Sequence, residues 1–126
     1  MKKVVVIDDD ITILEAVSLV LESEGYEVRT ASTSVYLNEL LKDVPDLVIL
    51  DIRLAGEDGR ELCRLLKGQE MTSHVPVILF SAHHRGDVTT LLQSSQADYF
   101  LPKPFDINQL TSLVKQFAGE AVYGVS

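Results

Sequence analysis

Four apolar runs in this chain end beside residues that can do chemistry. Val4-Val5-Val6-Ile7 ends on Asp8 and Asp9, and Leu47-Val48-Ile49-Leu50 ends on Asp51. Val77-Ile78-Leu79-Phe80 ends on Ser81, and Tyr99-Phe100-Leu101 stops shortly before Lys103. The central run has neither helical spacing nor alternation. It reads as a short strand buried on both faces, as in a parallel sheet covered by helices. In open α/β sheets, ligands bind in the crevice outside the carboxyl ends of the strands. Two acids, one acid, one hydroxyl and one ammonium are therefore expected to meet at one edge of one sheet.

Three carboxylates in one pocket do not all ionise comfortably unless a cation joins them. An oxygen-only donor set selects a hard ion such as Mg²⁺, which keeps several waters and takes oxygen from a substrate phosphate. Lys103 and Ser81 would face the remaining phosphoryl charge, and Asp51 is placed to attack phosphorus and give an aspartyl-phosphate. Taken singly, each residue has a blander reading. An Asp after a strand is commonly a turn or cap residue, Asp8-Asp9-Asp10 is a natural capping cluster for a following helix, and a lysine between two prolines is commonly a solvated charge. Their joint occurrence, in order and each just after an apolar run, favours the shared site.

The elements that must hold these groups follow from periodicity. A first strand covers Lys2 to Ile7. Ile13, Val17 and Val20, with Leu14 and Leu21 beside them, recur at helical spacing, and Gly25 reads as a left-handed cap. Tyr26 to Thr30 carries Glu27 and Arg29 and reads as an edge strand. Ser32-Thr33-Ser34 offers helix caps, and Leu37, Leu40, Leu41 and Val44 predict a helix stopped by Pro45. Arg53 to Gly59 reads as a loop. Asp58 and Glu61 have the spacing of a capping box for a helix that buries Leu62, Leu65 and Leu66 and closes at Gly68. A strand over Pro76 to Phe80 is followed by a short helix marked by Val88, Leu91 and Leu92. After the fifth strand, Tyr99 to Leu101, comes the rigid turn Pro102-Lys103-Pro104. Leu110, Leu113, Val114 and Phe117 give a last amphipathic helix ended by Gly119. Strand and helix alternate five times, which argues an α/β fold with a parallel sheet and helices on both faces.

The chain has 126 residues, an apolar fraction of 46% and a net charge of −8. That length suits one domain with a core that needs no disulfides, expected over 1–119 with 120–126 as a short tail. The negative charge argues against this domain gripping nucleic acid. No run is long enough to span a membrane and no signal peptide precedes Val4, so the expected location is cytoplasmic and no membrane partner is expected. The single cysteine, Cys63, lies in a helical pattern and reads as a small residue near the core.

The ordered set of motifs resembles the receiver domain of two-component response regulators. The matching stretches are Val5-Val6-Ile7-Asp8-Asp9-Asp10, then Leu50 to Gly59, Phe80-Ser81-Ala82 and Lys103-Pro104-Phe105. The resemblance implies a flavodoxin-like, doubly wound (βα)5 fold with strand order 2-1-3-4-5, the common order of flavodoxin-like sheets. It implies Asp51 as phosphoacceptor, and Asp8, Asp9, Asp51 and the Arg53 backbone carbonyl as ligands of Mg²⁺. Asp10 stays outside the metal site. Ser81 corresponds to the switch hydroxyl, Lys103 to the phosphate-pairing lysine and Phe100 to the aromatic rotamer switch. The Lys103–Pro104 bond is expected to be cis. The implied donor is a sensor histidine kinase or a histidine phosphotransfer protein, with a downstream output domain or protein beyond. The implied role is a signalling switch rather than an enzyme, although it catalyses its own phosphorylation and dephosphorylation.

There are departures from the family pattern. Leu54-Ala55 stands where Met-Pro is usual, and Phe100 lacks the hydroxyl of the frequent tyrosine. Arg53 and His83 stand two residues beyond the acceptor and the switch hydroxyl, positions that the resemblance implies flank the approach of hydrolytic water. Two rivals use similar parts. A small phosphatase of the haloacid-dehalogenase type would use Asp8 and Asp10, but no cap domain is present. A flavin carrier would need a Ser/Thr-rich phosphate loop where this chain has acids.

Overall fold

The computed structural model describes residues 1–82, 84 and 86–121, excepting the Tyr36 side chain. Five strands form one parallel sheet: β1 Lys3–Ile7, β2 Glu27–Ala31, β3 Leu47–Asp51, β4 Val77–Ser81 and β5 Tyr99–Pro102. Their order is β2-β1-β3-β4-β5, the order expected. Register pairs Ile7 with Leu50 and Asp51 with Phe80, and Ser81 with Pro102. The helices are α1 Ile11–Ser23, α2 Leu37–Leu40, α3 Gly59–Gly68, α4 Val88–Ser95 and α5 Ile107–Ala118.

Continuous apolar runs work here because each strand feeds two cores. Successive side chains on a strand point to opposite faces. Val4, Val6, Leu47, Ile49, Ile78 and Phe80 join α1 and α5 in one core. Val5, Ile7, Val48, Leu50, Val77 and Leu79 join α3 and α4 in the other. This is why the central runs show no alternation. The chain leaves β1 for β2 on one side and returns to β3 on the other. The crevice between the ends of β1 and β3 is therefore the switch point of the sheet, and Asp8 and Asp51 stand on either side of it.

Local chemistry sets the helix ends. Asp10 caps α1, its carboxylate accepting from Thr12 N–H at 3.0 Å. At the other end Gly25 has φ +95, and the Gly25 and Tyr26 amides donate to Glu22 and Leu21 carbonyls in a Schellman closure. The Tyr26 hydroxyl donates to Gly119 O at 2.7 Å, which ties the start of β2 to the end of α5.

Four expectations change. The second helix is shorter than its stripe predicts: a 3-10 turn at Ser34–Tyr36, capped by Thr33, leads into a helix that ends at Leu40. Its bonding tightens after Leu41 N–H to Leu37 O, because Lys42 N–H donates to Glu39 O. Pro45 disfavours helical geometry at Val44, and Asp43 is drawn to Lys3 and Arg29. In α3, Leu65 is 60% exposed rather than buried, and the buried stripe is Gly59, Leu62, Cys63 and Leu66. The capping box is half made: Asp58 accepts from Arg60 N–H at 2.9 Å, while Glu61 faces Arg64 at 4.0 Å. Finally, the loop after β3 contains a two-residue antiparallel ladder, Arg53–Leu54 against Glu57–Asp58, turning at Gly56 with φ +74.

Candidate functional site

Strand parity sorts the site residues. Asp51 shares the parity of Leu47 and Ile49, so it faces the α1/α5 side of the sheet edge, where Lys103 also arrives. The Lys103 ammonium lies 4.5 Å above the Phe80 ring, which belongs to that same core. It sits 2.6 Å from Asp8 Oδ2 and 3.3 Å from Asp51 Oδ2. Its own backbone N–H donates to Ser81 O at 2.9 Å, so β5 fixes the lysine against the end of β4. The Lys103–Pro104 peptide is cis, as expected.

Backbone amides hold the two acids in place. Asp8 is fully buried, and its Oδ1 accepts from Asp10 N–H at 2.9 Å. Asp51 is 5% exposed, and its Oδ1 accepts from Arg53 N–H at 3.2 Å. Asp9 is exposed. Oxygens of Asp8, Asp9 and Asp51 all lie within 4.8 Å of one another. These three acids, with Ser81 and Lys103, line a cavity of about 480 Å³.

The electrostatics are unbalanced toward the anion. Burial, followed by the Asp8 carboxylate beside it, pushes the Asp51 pKa up to about 6, against pulls from Lys103 and the Arg53 amide. Burial works against the charge on Lys103, but Asp8 and Asp51 outweigh it and hold that ammonium above its ordinary value. One ammonium among three carboxylates leaves the oxygens in excess. An oxygen-only donor set with excess negative charge fits a hard divalent cation.

Ser81 and Phe100 have the other parity. Ser81 is 4% exposed and lies between the acidic cavity and a neighbouring one of about 310 Å³. Phe100 is half-buried against the α3/α4 core. Arg53 is exposed and borders both cavities. His83 lies outside the described residues. Asp10 serves as the α1 cap and takes no place among the three clustered acids.

Two residues escaped the sequence reading. A Cβ at Gly59 would stand 2.0 Å from the Asp51 carbonyl oxygen, so only glycine lets α3 begin this close to the end of β3. The second is His84, whose ring meets Phe100 edge-on at 5.2 Å. Neither contact follows from periodicity, since each joins a residue to backbone or ring elsewhere in the chain.

The model of the response regulator receiver domain family matches residues 4–115. This chain belongs to that family. It is 35% identical over 118 residues to the DNA-binding dual master transcriptional regulator RpaA of Synechocystis, covering 91% of this chain and 48% of RpaA. It is 38% identical to the response regulator PleD of Caulobacter vibrioides, over 90% of this chain and 25% of PleD. The chain thus spans half or less of the curated relatives it matches. Among solved structures, the chemotaxis protein CheY4 of Vibrio cholerae superposes with a TM-score of 0.85 at 26% identity, covering 93% of this chain and 98% of CheY4. A putative response regulator of Chloroflexus aurantiacus gives 0.83 at 32% identity, over 94% and 98% of the two chains. The receiver domain has the flavodoxin-like α/β fold and the phosphoacceptor switch role of its family. No helix among the described residues is long and apolar enough to cross a membrane.

Proposed function

We propose that Asp51 accepts a phosphoryl group and thereby switches this receiver domain within a two-component phosphorelay. The observation that supports this most is the grouping around one ammonium. Lys103 bridges Asp8 and Asp51, and Asp9 stands within sharing distance of both. The donor is a phosphohistidine on a sensor histidine kinase or a histidine phosphotransfer protein. An Asp51 carboxylate oxygen forms the new bond to phosphorus as the phosphorus–nitrogen bond breaks, and the electron pair leaves with the imidazole nitrogen.

Asp8, Asp9, Asp51 and the Arg53 backbone carbonyl would hold Mg²⁺. When bound, that ion supplies positive charge against the carboxylates and the phosphoryl oxygens. Lys103 contributes a fixed ammonium, and its contact with Asp51 would pass to a phosphoryl oxygen. The Ser81 hydroxyl turns toward a second phosphoryl oxygen. Phe100 then changes its packing, and the surface made by α4, β5 and α5 changes with it. The same residues support the hydrolysis that ends the signal, so the chain catalyses its own chemistry while serving as a switch. The receiver unit is taken as 1–119 with 120–126 as a tail, of which 122–126 lie outside the described residues. A cytoplasmic location and a downstream output domain or protein belong to the same reading.

The phosphatase alternative is not favoured. It needs Asp10 beside Asp8 as the second acid of its pair, yet Asp10 is committed to the α1 cap and takes no place among the three clustered acids. Phosphoramidate, a small donor that needs no partner, tests the proposal. With Mg²⁺ the chain should gain one phosphate by intact mass. A chelator should stop the reaction, and so should Asp9→Ala, which also should lose the thermal shift produced by Mg²⁺. Full labelling of Asp9→Ala with unchanged metal response would remove Asp9 from the site.

A further inference from the structure

Phe100 carries no hydroxyl, so this switch ring has no polar atom of its own to report a change of position. The polar atom of the pair lies across the contact. His84 meets Phe100 edge-to-face, with ring centroids 5.2 Å apart and planes at 63°. The His84 Nε2 is buried and has no hydrogen-bond partner among the described residues. A buried polar atom left unpaired raises the free energy of the arrangement that buries it.

His84 is also well placed to move. It lies three residues beyond Ser81, and both border the 310 Å³ cavity beside the acidic site. Two residues further on, Gly86 has φ +111, a conformation that favours glycine and suits a hinge in the segment leading to α4. A displacement of Ser81 toward a phosphoryl group would therefore pull on His84 from one side, with a hinge on the other. Arg53, Asp58 and Arg60 border the same cavity, so an imidazole that enters it on leaving Phe100 meets polar groups there.

We infer that His84 is a positioning residue for Phe100, a latch that holds the ring in its half-buried place and releases it when Ser81 moves. This rests on the phosphoacceptor reading for the trigger, but not for the resting contact. The ring contact stabilises the resting position, while the unpaired nitrogen keeps it from being held too firmly. The two effects belong to different atoms of one side chain and are separable by substitution. His84→Phe keeps an aromatic edge and removes the unpaired nitrogen. His84→Ala removes both.

The experiment places 4-fluorophenylalanine in the chain, which has four phenylalanines, and reads fluorine resonances. Phe100→Leu, made in the parent and in each variant, identifies the Phe100 signal, including in His84→Phe, which adds a fifth fluorine resonance. In the unphosphorylated protein, His84→Ala should move that signal toward the position it takes in the parent after phosphoramidate and Mg²⁺. His84→Phe should keep the resting position and slow phosphorylation from phosphoramidate at least threefold. A ring with a merely structural role would shift melting temperature without this partition of the Phe100 signal. A Phe100 resonance in His84→Ala identical to that of the resting parent would overturn the latch. So would equal phosphorylation rates in His84→Phe and parent. If intact mass shows no phosphate on the parent, the phosphoacceptor reading fails. In that case the latch is judged on the resting spectra alone, by whether the Phe100 signal leaves its parent position in His84→Ala and keeps it in His84→Phe.

Discussion

A carboxylate that is 5% exposed, faces a second carboxylate and shares one ammonium is poorly matched to its own charge. Asp51 shows this as a pKa of about 6 against an ordinary 3.8. Between those two values the folded chain holds more proton than the unfolded chain, so stability falls as pH rises through that window. Asp43 and Asp58 are shifted the other way, and what they contribute is lost only as pH drops below the ordinary carboxylate range. The metal-free parent should therefore lose on the order of 2–3 kcal/mol relative to Asp51→Asn between about pH 4 and pH 7. Urea denaturation of both proteins with a chelator present measures this. Parallel pH profiles would show that Asp51 is not strained. In the proposed reaction Arg53 would act later, on the lifetime of the phosphorylated state. It borders both cavities and, among the described residues, has no ion pair, so its planar fork is available to a phosphoryl oxygen and would there crowd the line of water attack. Arg53→Asn should speed loss of the phosphate by more than about threefold, roughly 0.65 kcal/mol of barrier. First-order decay with excess Mg²⁺ and no donor reads it, and a lifetime equal to the parent's would exclude shielding.

At the scale of elements, the site depends on how closely α3 starts beside the end of β3. Gly59 N–H donates to Ile52 O at 2.8 Å, and a Cβ there would meet the Asp51 backbone within 2.0 Å. Backbone on both sides has to move to admit it. Gly59→Ala should cost about 1–3 kcal/mol and also slow phosphorylation, because the displaced atoms carry the Asp51 side chain. Gly68, at the other end of the same helix, has open space where its Cβ would be. Gly68→Ala should be neutral or stabilising by up to about 1 kcal/mol, with unchanged reactivity. Denaturation midpoints and donor rates on the two variants separate close approach from helix propensity. Equal effects would remove the argument for Gly59. Cys63, on the inner face of α3, is fully buried, and burial pushes its thiol up to about 11, so it packs rather than reacts.

Across the whole molecule, the sheet divides the labour between its faces. Asp8, Asp51 and Lys103 meet on the α1/α5 side, Phe100 and His84 meet on the α3/α4 side, and Ser81 borders both cavities at the edge. The five β-α units and the strand order were readable because buried parallel strands are continuous apolar runs, and each run stops where its chemical residue begins. The placement of Asp8, Asp51, Ser81 and Lys103 was readable for the same reason. The length of α2 was not, because the contact of Asp43 with Lys3 on β1, which helps to end it, leaves no periodic trace. Leu65 was misplaced because a run of leucines fits two neighbouring stripes, and the buried one includes Gly59 and Cys63. The His84–Phe100 contact had no periodic signal at all, since it joins a loop to a strand sixteen residues further along the chain.

The central claim is that one of several adjacent acids, Asp51, carries the phosphoryl group. Borohydride reduces an aspartyl-phosphate to homoserine and leaves free carboxylates untouched. Treating the chain with phosphoramidate and Mg²⁺, reducing it, and mapping its peptides by mass locates the acceptor directly. The account predicts homoserine at position 51 alone, with none at Asp8, Asp9 or Asp10, and no conversion anywhere in Asp51→Asn. Conversion at Asp8 or Asp9 in the parent, or undiminished conversion in Asp51→Asn, would contradict it.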